Sequence, residues 1–474
     1  MNGFEVTEVT ALLALVSVAL FIIGLKRLSR VRTARSGNAL MAAGMLVAIV
    51  LTLVEIGLVD YRWIIGGVVI GAAFGMLTVI RAQATQMPEI VARFNGFGGA
   101  ASALVAVSLF WGVVVESDAT STTAELLGGT SAVTLVISIL IGASTLSGSI
   151  LAELKLRGTL SGAPRVPLRT AVMGLFAIGA LVVGLVAVLA IDAPVTAATL
   201  IIVLLVLAAL VGIVLVLPIG GADMPVVISL LNSLSGLAAA ATGFALGNNL
   251  LIIAGTIVGA AGLILTQIMC VAMNRSLVNV IAGGYGEGGD VEHGEYGNVV
   301  SSDPESAAMV LEAAQSVIIV PGYGLAAARA QNAAHDLAKA LIARGVQVRF
   351  GIHPVAGRMP GHMNVVLAEA EVPYELLHEM DAINGEFPQT DVAIVVGAND
   401  VVNPAATEDP TGPIGGMPIL EVEQARRVFV IKRSLSPGYA GIKNVLFERD
   451  NTVMLYGDAK DVLSELASEV ANAR

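Results

Sequence analysis

Charged residues are scarce in this chain: they make up 13% of its 474 residues, whereas 56% are hydrophobic. An ordinary soluble domain is about one quarter charged, so the composition excludes a simple soluble protein. It also excludes intrinsic disorder, because so apolar a chain can bury a large surface. The scarcity is uneven, since residues 1–281 carry a formal net charge of +2 and residues 282–474 carry −13. The sequence therefore predicts a membrane-embedded part followed by a domain that faces water.

Cysteine and histidine are also rare where they would matter most. The chain has a single cysteine, Cys270, which excludes a disulfide framework and a cysteine metal cluster, and we expect no metal site. None of the five histidines precedes residue 282, so the membrane part has no histidine proton relay and no histidine ligand for haem. The small positive charge of residues 1–281 lies between apolar runs, and nucleic acid is therefore not an expected partner.

Nine apolar runs are long enough to cross a bilayer, which takes roughly 20 residues. The runs cover residues 9–25, 38–59, 64–80, 95–115, 126–152, 170–191, 196–217, 225–246 and 250–273. Eleven Lys and Arg residues lie between runs 1 and 2, 3 and 4, and 5 and 6, and Arg275 follows run 9, whereas the alternate segments carry only Arg62. Because basic loops stay inside, the N-terminus is predicted outside and the acidic C-terminal domain in the cytoplasm.

Three polar residues in the membrane part are candidates for proton movement or coupling. Asn95 opens run 4, Asp223 lies in a short turn before run 8, and Asn232 follows one to two helical turns further along that run. Polar groups inside a membrane are costly and often functional. Asparagine also joins membrane helices, and an aspartate at this position also caps a helix, so the residues alone leave both roles open.

The C-terminal part contains the pattern of a dinucleotide-binding unit. Residues 316–321 read as a buried strand, and the turn Gly322-Tyr-Gly-Leu-Ala-Ala327 follows. An amphipathic helix then extends to about residue 344, and a second strand covers 346–353. Such glycines let the backbone approach a pyrophosphate, although a tight turn without nucleotide has the same pattern. The glycine-rich acidic tract 282–303 is predicted as a flexible linker between a transmembrane domain, 1–281, and a nucleotide-binding domain, 304–474.

Further strand patterns at 391–397, 427–432 and 452–456 predict an α/β Rossmann-like domain with a parallel sheet, following an α-helical membrane bundle. The second strand ends near Arg349 and His353 instead of the acidic residue that binds the ribose of NAD, which favours NADP. Lys432, Arg433 and Ser434 form the densest basic step at any strand end. They suit a phosphate clamp, and a solvated basic pair is the alternative.

Several long segments carry a resemblance to a known family. They are DMPVVISLLNSLSG (223–236), CVAMNRS (270–276), VPGYGLAA (320–327), HPVAGRMPGHMN (353–364), GANDVVNP (397–404) and KRSLSPGY (432–439). Over essentially its whole length the chain resembles the β subunit of the proton-translocating NAD(P) transhydrogenases of the bacterial inner membrane. The resemblance implies that NADP(H) binds to this chain and NAD(H) to a separate α-type subunit, which also brings further membrane helices.

The same resemblance implies direct hydride transfer from NADH to NADP⁺, driven by inward proton movement, in a dimer of complete units embedded in lipid. It names no catalytic acid or base, because the cofactors carry the chemistry. Many members have a membrane histidine where this chain has Asn95, so the titrating group is expected elsewhere, for instance in a partner helix. With Gly322 and Gly324, the candidate cofactor-binding residues are Tyr323, Val355, Ala356, Gly357, Arg358, Met359, Pro360, Gly397, Ala398, Asn399, Asp400, Val401, Gly416, Met417, Lys432, Arg433, Ser434, Leu435, Ser436, Pro437, Gly438, Tyr439, Asp458 and Ala459.

Two other classes of protein share the layout of membrane helices followed by a nucleotide-binding domain. One is a channel or secondary transporter gated by a nucleotide-sensing domain, although the sequence has no selectivity-filter motif in its spans. The other is a stand-alone membrane NADPH oxidoreductase, which would need haem or flavin. Hydride transfer measured with and without the partner separates both from a transhydrogenase.

Overall fold

A computed structural model describes most of the chain. The described residues are 3–28, 31–56, 61–115, 121–160, 168–220, 223–274, 276–281, 296–359, 361–438 and 440–472. Pro360 and Tyr439, both candidate site residues, lie outside this set, as do Arg275 and the part of the expected linker from 282 to 295.

Nine helices in the described part of the chain are long and apolar enough to cross a membrane, which confirms the predicted number. Two five-residue helices, α5 (Thr123–Leu127) and α11 (Leu277–Ile281), accompany them. The nine are α1 (Gly3–Leu28), α2 (Val31–Ile56), α3 (Tyr61–Ile80), α4 (Met87–Phe110), α6 (Gly129–Leu156), α7 (Arg169–Leu189), α8 (Pro194–Val216), α9 (Met224–Leu246) and α10 (Asn249–Ala272).

Helices α6 and α9 form the centre of the bundle, with α4, α8 and α10 packed around them. Glycines allow the closest of these contacts. A Cβ added to Gly236 would lie 2.4 Å from the backbone nitrogen of Gly259, and one added to Gly142 would lie 2.5 Å from the carbonyl oxygen of Gly99. Small residues let helix backbones approach in this way, so α9 packs directly on α10 and α6 on α4.

The C-terminal domain is built on a six-stranded sheet in which every pairing is parallel, with the order β3-β2-β1-β4-β5-β6. This is the strand order of doubly wound dinucleotide-binding domains, and it confirms the predicted fold class. The strands are β1 (Ser316–Pro321), β2 (Gln347–Ile352), β3 (Leu377–Glu379), β4 (Val392–Val396), β5 (Arg427–Lys432) and β6 (Thr452–Tyr456). The helices are α12 (Pro304–Ala313), α13 (Tyr323–Ala327), α14 (Gln331–Ala343), α15 (His362–Glu369), α16 (Met380–Ile383), α17 (Ala405–Glu408) and α18 (Ala459–Asn472).

The amphipathic helix predicted after Ala327 is α14, and a separate short helix, α13, lies within the predicted turn. Helix α13 ends after five residues and α14 begins only at Gln331. Between them Arg329 adopts a left-handed conformation with φ of 52°, and the backbone nitrogen of Ala330 donates to the carbonyl oxygen of Leu325. A left-handed residue closes a helix in this way. The predicted turn therefore contains a single short helical turn.

Residues 296–303, expected to belong to the linker, lie along the outer edge of the sheet. The backbone nitrogen of Met454 in β6 donates to Val300, and the nitrogen of Ser302 donates to the carbonyl oxygen of Met454. These two hydrogen bonds pair the backbone of Met454 on the outer edge of β6, where it would otherwise be unpaired.

Candidate functional site

The loops that follow β1 and β4 touch each other through glycine backbones. The nitrogen of Gly324 donates to the carbonyl oxygen of Gly397 at 2.9 Å. A Cβ on Gly322 would lie 2.4 Å from Ala398, and one on Gly397 would lie 2.4 Å from the Cα of Gly324. Gly397 also has φ of +65°, which favours glycine. The contact lies at the point where the strand order reverses, the place where doubly wound sheets bind ligands.

A cavity of about 530 Å³ opens at this switch point. That volume lies within the range of small-molecule and cofactor sites. Of the predicted site residues, the cavity is lined by Gly322, Tyr323, Gly324, Val355, Ala356, Gly357, Gly397, Ala398, Asn399, Asp400, Val401, Met417, Lys432, Arg433, Ser434, Ser436, Pro437, Gly438 and Ala459.

The remaining described candidates do not line the cavity. Leu435 packs against the hydrophobic core, and the Asp458 carboxylate accepts a hydrogen bond from the nitrogen of Lys460 at the start of α18. Gly416 faces Asn274, and Arg358 turns towards the membrane helices. Met359 is partly buried beside Arg358. These residues shape or support the loops around the cavity.

Lys432, at the end of β5, is the half-buried cation of the cavity wall. Its ammonium donates to the carbonyl oxygen of Ser436 at 2.6 Å and lies 5.2 Å from the centre of the Phe447 ring. Burial lowers the pKa of Lys432 to about 8, partly opposed by the negative charge of Asp400. The neighbouring Arg433 and Ser434 are exposed on the same rim. The rim therefore presents two cations to an anionic group: Lys432, which is partly desolvated, and Arg433, which is solvated.

Asp400 fastens the loop that follows β5. Its carboxylate accepts a hydrogen bond from the backbone nitrogen of Ala440 at 3.0 Å. Gly438 lies so close that an added Cβ would be 2.4 Å from the same carboxylate. With its amide oxygen turned towards Lys432, the side chain of Asn399 accepts from the ammonium at 2.9 Å and from the nitrogen of Gly438 at 2.7 Å. The 432–440 loop is thus held across the cavity by the residues after β4.

The cations predicted at the end of β2 are not available to a ligand. Arg349 pairs with Glu386 at 3.0 Å. His353 is 1% exposed, its Nε2 lies 2.8 Å from the carbonyl oxygen of Pro418, and its Nδ1 accepts from the nitrogen of Val355. Burial lowers the pKa of His353 to about 4, so the ring is neutral at neutral pH. The preference for NADP cannot rest on these two residues.

Membrane residues complete the cavity wall. Pro225, at the start of α9, and Met273, at the end of α10, both line it. Neither residue was predicted from the sequence, although each lies in a segment that carries the family resemblance. The membrane domain therefore covers the cavity in this arrangement.

Arg358 connects the cavity loop to the membrane domain. Its guanidinium donates to the carbonyl oxygen of Leu156 at 2.8 Å and lies 4.3 Å from the centre of the Tyr323 ring. Leu156 is the last residue of α6, where the unpaired carbonyls of a helix favour a cation. The nitrogen of Arg358 donates to Nδ1 of His362, whose pKa burial lowers to about 4.

Comparison with known proteins identifies the family to which the chain belongs. The sequence model of the family described as NAD(P) transhydrogenase beta subunit matches residues 10–469. A curated NAD(P) transhydrogenase subunit beta of Rhodospirillum rubrum is 46% identical over 457 residues, which cover 95% of this chain and 97% of that protein. A protein of the same name from a defined strain of that species matches equally well. The chain belongs to the NAD(P) transhydrogenase beta subunit family.

Membership in the transhydrogenase family makes the chain part of an oxidoreductase that works with nicotinamide nucleotides.

Polar residues of the membrane helices contact one another in two layers. Asn95 in α4 donates from Nδ2 to the hydroxyl of Ser149 in α6 at 3.1 Å, and Ser235 in α9 donates to the carbonyl oxygen of Asn95 at 3.1 Å. A second layer pairs the buried hydroxyls of Ser138 and Thr242 at 2.6 Å.

Asp223 and Asn232 do not form one polar line in this transhydrogenase chain. Asp223 is 2% exposed at the start of α9 and makes no side-chain capping bond to that helix. Asn232 lies on the exposed side of α9. Nine residues at 100° each place the two on opposite faces of a helix. Only Asp223 faces the interior of the bundle.

Proposed function

We propose that the C-terminal cavity binds NADP(H) and that the chain is the NADP(H)-binding, proton-translocating subunit of a transhydrogenase. The observation that carries this proposal is the cavity at the β1–β4 switch point with Lys432 and Arg433 on its rim. The backbones of Gly322, Gly324 and Gly397 let the β1 and β4 loops close on each other at the switch point, where a dinucleotide's pyrophosphate binds in this fold. The basic rim suits the 2′-phosphate that distinguishes NADP from NAD. The remaining described candidates support the loops that form these walls.

The bound nucleotide would supply the hydride acceptor, and NADH on an α-type partner subunit would supply the hydride. The chain's own residues bind and orient the nucleotide and exclude water from the site. Lys432 and Arg433 neutralise phosphate charge, while Asp400 and Asn399 hold the covering loop in place. No side chain of this chain is proposed as a catalytic acid, base or nucleophile. The cavity faces Pro225 and Met273, so transfer to a partner's nucleotide requires the domain to leave this arrangement.

We also propose that proton movement inward across the membrane is coupled to this reaction, along the polar layers shared by α4, α6 and α9. The layers at Asn95 and at Ser138 are separated by the close backbone contact between Gly99 and Gly142. Asparagine does not titrate near neutral pH, so Asn95 positions rather than carries the proton. Asp223 and Asn232 remain the other candidates for coupling in this chain. The titrating group is proposed to lie elsewhere, for instance in a partner helix.

The assembly proposed here is a dimer of complete units in the bacterial inner membrane. The N-terminus would lie outside and the C-terminal domain in the cytoplasm, as the basic loops indicate. The domain boundaries proposed are a membrane domain 1–281, a linker 282–303 whose residues 296–303 pack on the nucleotide domain, and a nucleotide domain 304–474.

The decisive experiment measures NADH-driven reduction of an NADP analogue in membranes, with and without the α-type partner, while proton uptake is followed. We expect hydride transfer and proton uptake only in the complete complex. NADP binding without hydride transfer in that complex would overturn the proposal, and nucleotide-dependent ion flux alone would indicate a gated channel. The variant Asn95→Ala tests the part that this residue plays, and reduced proton uptake is expected if Asn95 positions the proton. Unchanged proton uptake would remove Asn95 from the pathway entirely.

A further inference from the structure

Tyr296 packs behind the wall of the cavity. Its ring stacks on Phe447, with the ring centres 6.0 Å apart and the planes inclined by 25°. Its phenolic oxygen accepts a hydrogen bond from the nitrogen of Asn444 at 3.2 Å, and the ammonium of Lys443 lies 5.1 Å from its ring centre. From the sequence, this residue was expected in the linker, with no part in the site.

The two neighbours of Tyr296 each contact a residue that lines the cavity. Phe447 is fully buried, and the Lys432 ammonium lies 5.2 Å from its ring centre. Asn444 is also fully buried, and its Nδ2 donates to the carbonyl oxygen of Asn399 at 3.1 Å. Asn399 in turn lies within hydrogen-bonding distance of Lys432. Two separate series of contacts therefore connect Tyr296 with Lys432. One passes through the Phe447 ring, and the other passes through Asn444 and Asn399.

We propose that Tyr296 is a positioning residue for Lys432 and thereby sets the preference of the cavity for a nucleotide that carries a 2′-phosphate. The proposal rests on the NADP(H) site proposed above. Phe447 lies in contact with the Tyr296 ring on one side and the lysine on another, so its ring orientation depends on both. Removing the tyrosine ring leaves Phe447 free to tilt and releases the Asn444 loop, and the ammonium then loses its fixed place.

The alternative is that Tyr296 only holds the segment 296–303 on the edge of β6. The two roles predict different results. A simple anchor affects the stability of the domain and weakens all nucleotides equally. A positioning residue changes the discrimination between NADPH and NADH, because only the former carries the phosphate that needs Lys432.

The test uses the complete complex in membranes. Tyr296→Leu removes the ring, Tyr296→Phe keeps the ring and removes only the hydroxyl, and Tyr374→Leu is the matched control. Tyr374 is 41% exposed and lies just before β3, at the opposite edge of the sheet. We expect Tyr296→Leu to lower the affinity for NADPH roughly five-fold with NADH binding unchanged, a size typical of a lost cation–aromatic contact. Tyr296→Phe should retain most of the discrimination, and Tyr374→Leu all of it.

A second readout does not depend on nucleotide binding. An amine-reactive reagent modifies Lys432 only when the side chain is deprotonated. The rate of modification, followed by mass spectrometry at a series of pH values, therefore reports the pKa of Lys432. Its midpoint should lie near the lowered pKa of about 8 in the wild type and move towards the ordinary value of 10.5 in Tyr296→Leu. If the wild type binds no NADPH, the proposed function fails while this profile still tests the role of Tyr296. An unchanged NADPH-to-NADH ratio together with an unchanged midpoint would overturn the inference.

Discussion

The side-chain amide of Asn274, just beyond the end of α10, donates a hydrogen bond to the carbonyl oxygen of Gly415 in the C-terminal domain. The next residue, Gly416, has φ of +74°, and an added Cβ there would lie 2.9 Å from the same amide. Together with the bond from Arg358 to Leu156, this contact fixes the C-terminal domain on the membrane helices. Both contacts belong to loops next to the cavity, so docking and nucleotide binding use the same segments.

Replacing Asn274 by glycine should loosen this docking without harming α10. Asn274 has φ of +46°, a left-handed conformation that glycine adopts freely, so only the amide donor is lost. We expect faster hydrogen exchange in residues 410–417 of the complete chain. The control Asn248→Ala removes the cap at the other end of α10 and should leave that loop unchanged. Equal exchange in all three proteins would show that the bond does not restrain the loop.

The affinity for NADPH should fall as the pH rises through about 8. Burial lowers the pKa of Lys432 to that value, so the ammonium that attracts phosphate loses its proton within this range. Because the phosphate favours the protonated lysine, binding should take up protons near pH 8. The variant Lys432→Arg stays charged and should bind with constant affinity between pH 7 and 9. NADPH titrations at three pH values would test this, and a parallel decline in the variant would assign the pH dependence to another group.

The strands of the C-terminal domain could be predicted closely because each is a short continuous run of β-branched and apolar residues. The predicted bounds of β1, β5 and β6 match those observed. The break after α13 could not be predicted, since residues 325–330 are mostly alanine and contain neither glycine nor proline. Its cause is the left-handed conformation of Arg329, which the local sequence does not signal.

The site was predictable where it depends on residue type at a strand end, and unpredictable where it depends on contacts between distant segments. Lys432 could be identified because it ends β5. Arg349 was misassigned because its partner, Glu386, lies 37 residues away in the sequence. The acceptor for Arg358 is the backbone carbonyl of Leu156, and a backbone acceptor leaves no trace in residue type. The role of the membrane helices in the cavity wall therefore required the structure.

Replacing Gly397 by alanine should damage the site far more than the same change at Gly441. Both glycines have φ near +65°, at +65° and +68°, so both variants strain the backbone by about 1 kcal/mol. Only Gly397 has another backbone in the way, whereas nothing lies within 4 Å of a Cβ on Gly441. We expect Gly397→Ala to separate the β1 and β4 loops and abolish NADPH binding, and Gly441→Ala to keep it. Similar binding by both variants would mean that the loop contact is dispensable.

Acid should destabilise the C-terminal domain through two buried histidines. Burial lowers the pKa of His353 and of His362 to about 4, and each Nδ1 accepts a backbone hydrogen bond that protonation breaks. The unfolded chain binds these protons first, at its ordinary pKa of 6.5, so stability is lost as the pH falls from 6.5 towards 4. The expected loss is about 2 kcal/mol per histidine at pH 5.

The loss can be measured from global hydrogen exchange of β4 in the purified full chain at pH 7 and pH 5. The double variant His353→Gln, His362→Gln starts from a lower stability, because it disturbs the loop between β2 and α15. It should nevertheless lose about 4 kcal/mol less than the wild type over this interval, since glutamine does not titrate. Each protein gives one change in the free energy of unfolding between pH 7 and pH 5. The difference between the two changes isolates the contribution of the histidines from that of the carboxylates that also titrate in acid. An equal loss of stability in both proteins would show that the two rings already bind protons in the folded domain.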